Sequence, residues 1–160
     1  MLAVRGLTSG DARFVQEMLA VAADWRPGAP VRSLDEVLAE PALARYVSGW
    51  DDDRDAGFIA EEDGGPVGAV WWRFLPEHRR GFGFVDESVP ELSIGVVERA
   101  RGRGVGTMLL DAIVAEARRR SLPGLSLSVE PDNPAVVLYR RFGFVEVGHA
   151  DGSLTMHLVR

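Results

Sequence analysis

The residues with the most evident chemical capacity lie in one turn, Arg101-Gly102-Arg103-Gly104-Val105-Gly106-Thr107. A strand-type run from Glu91 to Val97 leads into it, and Val105, Met108, Leu109, Ala112 and Ile113 leave it at helical spacing. The first amides of such a helix have no acceptor inside it, and they point, with the positive end of the helix dipole, at whatever sits before the helix. Glycine lets a ligand approach this backbone closely, so the turn suits an anion and above all a pyrophosphate. Arg99, Arg101 and Arg103 add local positive charge to a chain whose net charge is -6. From these residues alone, a purely structural glycine turn is the alternative.

Several other chemistries fail on residue type. A P-loop ends in Gly-Lys-Ser/Thr, whereas this turn ends in Gly106-Thr107 and all 18 basic residues of the chain are arginine. A Rossmann fingerprint would need glycine at position 107 and a place at the first strand of its domain. Without cysteine there is no disulfide, thiolate metal site or cysteine nucleophile, and without lysine there is no Schiff base. His78, His149 and His157 lack zinc-site spacing, so no metal is expected. The absence of a Gly-x-Ser-x-Gly elbow disfavours an acyl-enzyme. The acidic balance argues against nucleic acid as a partner. No apolar run approaches the roughly 18 residues that span a bilayer, and Met1 to Arg5 has no signal-peptide layout. The expectation is a cytoplasmic protein with no membrane partner and one globular domain over residues 1–160.

A second constellation lies downstream, Asn133-Pro134-Ala135-Val136-Val137-Leu138-Tyr139-Arg140-Arg141-Phe142-Gly143-Phe144. Together the two stretches resemble the signatures of the GNAT superfamily of N-acetyltransferases. The first, Arg/Gln-x-x-Gly-x-Gly/Ala, is met by Arg101, Gly104 and Gly106. The second, Asn-x-x-Ala-x-x-Leu-Tyr-x-x-x-Gly-Phe, is met by Ala135, Leu138, Tyr139, Gly143 and Phe144. It departs at one position, because Asn133 stands two residues before Ala135 and Asp132 holds the usual asparagine place. The resemblance covers nearly the whole chain, with its specific part between Glu91 and Phe144.

That resemblance implies an acetyl-CoA-dependent N-acyltransferase that passes the acetyl group to a primary amine by direct attack in a ternary complex. It implies an α/β (α+β) fold: a mixed, mostly antiparallel sheet of about six or seven strands with about four helices, splayed between the fourth and fifth strands. The pantetheine arm would pair with the backbone of Ile94 and Val96 and touch Asn133. The amides of Gly102, Arg103, Gly104, Val105, Gly106 and Thr107 would hold the pyrophosphate, with Arg101 at the start of the turn. Tyr139 would be the acid, since a phenol near pKa 10 keeps its proton at neutral pH and can give it to the leaving sulfur. An ammonium acceptor must also lose a proton. Glu91, at the start of the central strand, is the first candidate base, with Glu87 and Asp86 in the loop before it. A catalytically silent acyl-CoA-binding or regulatory module is the alternative, and retention of Tyr139 favours the enzyme. The acceptor stays open between a small molecule, a peptide N-terminus and a protein lysine, and a homodimer is compatible with the fold.

The elements that must position these residues are also legible. Leu2 to Gly6 reads as a strand, and Thr8 with Asp11 opens a helix through Phe14, Met18, Leu19 and Ala22. Ser33 and Glu36 form a capping box for a second helix, to about Val47, which Pro41 must kink or split. Gly57 to Glu61 and Val67 to Leu75 form a hairpin around Asp63-Gly64-Gly65. The Trp71-Trp72 pair sends one ring to each face of the sheet; core packing of both is the first reading, with one of the two rings a candidate border of the substrate opening. Pro76 to Pro90 reads as a mobile substrate loop. Leu125 to Val129 is a strand, Pro134 to Phe142 a helix stopped by Gly143, and Phe144 to Val147 with Leu154 to Val159 a closing hairpin around Asp151-Gly152.

Overall fold

The computed structural model describes residues 1–159. In chain order it forms β1 (Leu2–Gly6), α1 (Ala12–Ala23), α2 (Leu34–Leu38), α3 (Pro41–Ala44), β2 (Ala56–Glu62), β3 (Gly65–Arg73), β4 (Glu91–Val96), α4 (Val105–Arg119), β5 (Gly124–Val129), α5 (Ala135–Arg141), β6 (Val145–Ala150) and β7 (Ser153–Val159). The capping box of Thr8 and Asp11 opens a 3-10 turn, Ser9–Asp11, that runs into α1. The box at Ser33 is reciprocal, with Glu36 N donating to Ser33 Oγ and Ser33 N to Glu36 Oε1, each at 3.1 Å. Pro41 occupies the first turn of α3, where its missing N–H is no loss, so the stretch splits into two short helices rather than kinking. Asp63-Gly64 and Asp151-Gly152 both carry positive φ at both positions, the conformation that two-residue hairpin turns demand.

The seven strands lie in the order β1-β2-β3-β4-β5-β7-β6. All neighbours are antiparallel except β4 and β5. On one side β4 pairs with β3 along its whole length, from Arg73↔Glu91 to Gly68↔Val96. On the other, the parallel register with β5 holds the single pair Glu91↔Ser126, supported by Ser126 N donating to Pro90 O at 3.0 Å. Past that pair the strands part, and the sheet forks as expected.

Two cores sandwich the sheet. Under α4 lie Trp72, Leu109, Ile113, Leu127 and Met156, and under α1 and α2 lie Val15, Met18, Val37 and Trp71. The two tryptophans do point to opposite faces, yet both are fully buried. Trp71 Nε1 donates to Tyr46 O at 2.9 Å and Trp72 Nε1 to Arg54 O at 2.8 Å. Neither borders the opening, because each satisfies its indole N–H inside a core.

Pro76 to Pro90 differs from the mobile loop that its composition suggests. Arg45 Nη1 donates to Arg80 O at 2.6 Å, Phe82 N to Tyr46 Oη at 2.8 Å, Gly83 N to Glu91 Oε2 at 3.1 Å and Glu77 N to Glu87 Oε2 at 2.7 Å. Polar residues that read as solvated are instead anchors for backbone.

A buried ion pair fastens the segment after α3 to the sheet. Arg73 Nε donates to Asp55 Oδ2 at 2.7 Å, while its Nη1 and Nη2 reach Arg45 O and Gly49 O, each at 2.9 Å. The second Asp55 oxygen accepts from Phe74 N at 3.0 Å. With both side chains nearly without exposed surface, removing one partner strands a buried charge. Asp55→Ala is expected to lower the unfolding free energy by about 3 to 5 kcal/mol in urea titrations. A loss within about 0.5 kcal/mol, the scale of an ordinary surface change, would contradict it.

Candidate active site

The glycine turn delivers α4 with Gly104 as its N-cap at φ +84°, following Gly102 at φ +75°. A Cβ at either would meet no atom within 4 Å, so the requirement is the left-handed backbone and not space. Glycine at the N-cap also supplies no side-chain acceptor. The amides of Val105, Gly106 and Thr107 are thus free for a ligand, Met108 N being the first to bond back, to Gly104 O at 3.1 Å. Gly106 is where α5 crosses closely, since a Cβ there would sit 3.3 Å from Leu138 Cδ2. Arg101 Nε reaches back to Val96 O at 3.4 Å. Arg103 turns away and pairs with Glu62 at 2.6 Å, and it does not line the cleft.

The fork exposes the backbone of β4. Pro90 O is used by β5 and Val97 N by β3, donating to Val67 O at 2.9 Å. Alternation along the strand then turns the peptide groups of Ile94 and Val96 toward the gap.

Across the gap, Asn133 Oδ1 accepts from Ala135 N at 2.9 Å and caps the start of α5. Asn133 lines the cleft, while Asp132, in the position where asparagine was expected, pairs with Arg26. Arg26 also bonds Glu130 at 2.7 Å, and Trp25 Nε1 donates to the same carboxylate at 3.3 Å. The segment after α1 is so tied to the β5–α5 connection across the cleft mouth.

From α5, Tyr139 enters the cleft wall with its ring edge-on to Phe144, centroids 6.0 Å apart. It is 6% exposed, and burial pushes its hydroxyl up from the ordinary value of 10.0. The phenol therefore holds its proton throughout the neutral range. Among the described residues its hydroxyl has no hydrogen-bond partner.

Glu91 stands at the fork itself. It is 4% exposed, and burial raises its carboxyl to about 7 against the lowering pull of Tyr46 and Gly83. Tyr46 Oη donates a short hydrogen bond to Glu91 Oε2. Burial first, and the Glu91 charge second, keep the Tyr46 phenol well above its usual range, so Tyr46 is the donor of that bond. Glycine is required opposite, because a Cβ at 81 would collide with Glu91 Oε1 and Tyr46 Oη, and one at 83 with the Leu127 backbone. Glu87, the reserve candidate, is held on Glu77 N, and Asp86 on Ser88 N at 2.9 Å.

These pieces meet in one cleft of about 830 Å³, lined by the turn, the β4 edge, Asn133, Tyr139 and Glu91. Its far wall adds Tyr46, Phe82, Leu43 and Trp25. Tyr46 and Phe82 lie outside any sequence motif. The alternation Gly81-Phe82-Gly83 was the available signal, since two glycines around an aromatic mark a close backbone approach.

The profile of the acetyltransferase (GNAT) family matches residues 18–144. The mycothiol acetyltransferase of Amycolatopsis mediterranei is 32% identical over 136 residues, covering 84% of this chain. The chain spans only 42% of that relative's length. The ribosomal-protein-alanine N-acetyltransferase of Brucella melitensis superposes with a TM-score of 0.70 at 25% identity, covering 99% of both chains. The PaiA N-acetyltransferase of Thermoplasma acidophilum, solved in complex with coenzyme A, shares the fold with a TM-score of 0.72 at 14% identity, over 100% of this chain and 99% of that one.

The raised carboxyl of Glu91 gives stability a pH signature. The folded chain holds this proton up to about 7 and the unfolded chain only to about 4.5. Its contribution is complete below the lower value and is lost as pH rises through the upper one. Across that window the unfolding free energy of the wild type minus that of Glu91→Gln should fall by about 1.4 kcal/mol per pH unit. A difference that stays flat from pH 4.5 to 7 would show that Glu91 is not so perturbed.

Proposed function

The chain belongs to the acetyltransferase (GNAT) family, and from that premise we propose that it moves the acetyl group of acetyl-CoA to a primary amine by direct attack in a ternary complex. The observation that carries this reading is the meeting, in one cleft, of free helix amides, an open strand edge, a protonated phenol and a carboxylate raised to about 7. The residues fit the cosubstrate. The amides of Val105, Gly106 and Thr107 suit a pyrophosphate, and the Ile94 and Val96 peptide groups suit the amides of a pantetheine arm as an added strand would. Acetyl-CoA supplies an activated acetyl thioester.

The chain's own groups handle the protons. Glu91, with its upper pKa close to neutrality, takes a proton from the acceptor ammonium, directly or through one water. Tyr139 holds a proton on the opposite wall for the leaving sulfur. Tyr46 and Gly83 keep the carboxylate in place, and Trp25, Leu43 and Phe82 form the apolar wall against which the acceptor lies. Two cores on one continuous sheet support reading the described residues as a single domain.

Release of free thiol from acetyl-CoA with a panel of amines tests the reading. Tyr139→Phe should lower kcat by about 10² to 10⁴ while acetyl-CoA still binds. Wild-type kcat/KM should rise with pH through about 7 and lose that limb in Glu91→Gln. A wild type that binds acetyl-CoA and acetylates no amine would leave only a binding module. Calorimetry should find acetyl-CoA binding weakened far more by Gly104→Val than by Arg103→Ala, because Arg103 is engaged with Glu62; equal losses would move the pyrophosphate elsewhere.

A further inference from the structure

Among the described residues, four buried side-chain polar atoms have no hydrogen-bond partner, and three of them are Glu91 Oε1, Ser126 Oγ and His157 Nε2. These three residues stand beside one another in a single row across the sheet. Glu91 pairs with Ser126 in the parallel β4–β5 contact, and Ser126 pairs with His157 between β5 and β7. Residues paired in register project to the same face, so the three side chains follow one another from the cleft wall outward. Folded proteins keep few unpartnered buried polar atoms, and bound water is their usual partner. Three in one register row form a seam of unpartnered polar atoms across β4, β5 and β7.

The surroundings preserve this seam. Ser126 has no exposed surface. The loop carrying Gly83 lies close over the adjoining Leu127 and Ser128 backbone, where glycine alone fits. At the outer end, Gly124 makes room for the imidazole, since a Cβ there would sit 2.8 Å from His157 Nε2. His157 is partly exposed and so reaches solvent.

The charges nearby are already matched. Arg73, the β3 neighbour of Glu91, is held by Asp55. From the segment after α3, Tyr46 bonds Glu91 and Arg45 adds positive charge. From the loop, Gly83 N donates to Glu91. Facing His157 are Gly124 and Ser126 on β5 and Val145 on β6. Glu146 and His149 of β6 pair with each other at 3.5 Å, and Arg80 lines the neighbouring hollow between the loop and β6. Burial lowers the His157 pKa from 6.5, so near neutral pH the imidazole is uncharged and able to accept.

We propose that Glu91, Ser126 and His157, joined by bound water, form a proton path that carries the proton taken from the acceptor ammonium out of the cleft to solvent beyond β7. The inference rests on the acetyl-transfer reading above. An ammonium gives up two protons as its nitrogen–carbon bond forms and the carbon–sulfur bond breaks. One ends on the thiol of the released coenzyme, by way of Tyr139, and the other must leave. Glu91 receives the second, the Ser126 hydroxyl accepts one proton while giving up another, and the buried His157 Nε2 accepts that one while Nδ1–H of the same ring gives one to water. With the cleft filled by both substrates, the seam is an exit that does not cross them. Ser126 and His157 are positioning residues, acting through Glu91.

The test is steady-state acetyl transfer at low and high imidazole concentration for the wild type, His157→Gln, Ser126→Ala and Glu91→Gln, each checked for an unaltered circular-dichroism spectrum. At low imidazole, kcat of His157→Gln and Ser126→Ala should fall by between about 10- and 100-fold, the scale of losing a group that supports a reacting one, with KM for acetyl-CoA unchanged. Added imidazole should restore His157→Gln, by serving as the missing proton carrier, and leave Glu91→Gln inactive. Wild-type kcat in both variants at low imidazole would overturn the path, as would a loss in His157→Gln that imidazole does not repair. A wild type that transfers no acetyl group would instead overturn the reading on which the path rests.

Discussion

The parallel pairing of β4 with β5 stops after one register pair, and the geometry of the cleft follows from that stop. Two strands that stayed paired would bury the peptide groups of Ile94 and Val96 in a ladder and leave no gap beneath the start of α4. Strands that never met would leave Glu91 without a fixed neighbour on its β5 side, with Arg73 of β3 alone beside it. Contact at Glu91 and separation beyond it do both jobs. The loop backbone at Gly83 sits at the fork, one side on the Glu91 carboxylate and the other on the Leu127 backbone.

Burial at the fork sets the chemistry of the groups gathered there. A carboxylate on an open surface would titrate near 4.5, and the same group beneath the 81–83 loop titrates near 7. Its Oε2 is fixed by a phenol and an amide while Oε1 has no partner among the described residues, so the loss of solvation is only partly repaid. The buried Arg73–Asp55 pair acts at one remove. It holds the carbonyls of Arg45 and Gly49, and with them the segment that presents Tyr46. A guanidinium can serve an acceptor on each of its three nitrogens in one plane, a task for which lysine has the wrong shape.

What was legible in the sequence was local or periodic. Capping boxes at Thr8 and Ser33, the split at Pro41, two hairpin turns and the glycine N-cap of α4 are each written within a few residues, and all appear in the structure. That Glu91 and Tyr139 would line the cleft was legible because one begins the strand that leads to the glycine turn and the other lies within the second motif. Tyr46 was not, since its partner is 45 residues away and is reached through a loop that reads as polar linker. Separation along the chain likewise hid Asp55 from Arg73, 18 residues apart, and Asp132 from Arg26, 106 residues apart. The loop from Pro76 to Pro90 misled because composition reports affinity for water, and here the polar groups are spent on neighbouring backbone. Trp71 and Trp72 were placed on opposite faces by strand alternation, but alternation carries no information about which layers cover those faces.

The tripeptide Gly81-Phe82-Gly83 divides heritable freedom unevenly. At its two ends a single methyl group would strike the Glu91–Tyr46 pair or the β5 backbone. The middle residue presents its side chain to the wall on which an acceptor would lie. Descendants of this sequence can therefore vary Phe82 and reshape that wall within the limits set by its packing against the core that holds Tyr46, while both glycines stay fixed. Selection for a new acceptor has a dial at 82 and a lock on either side of it.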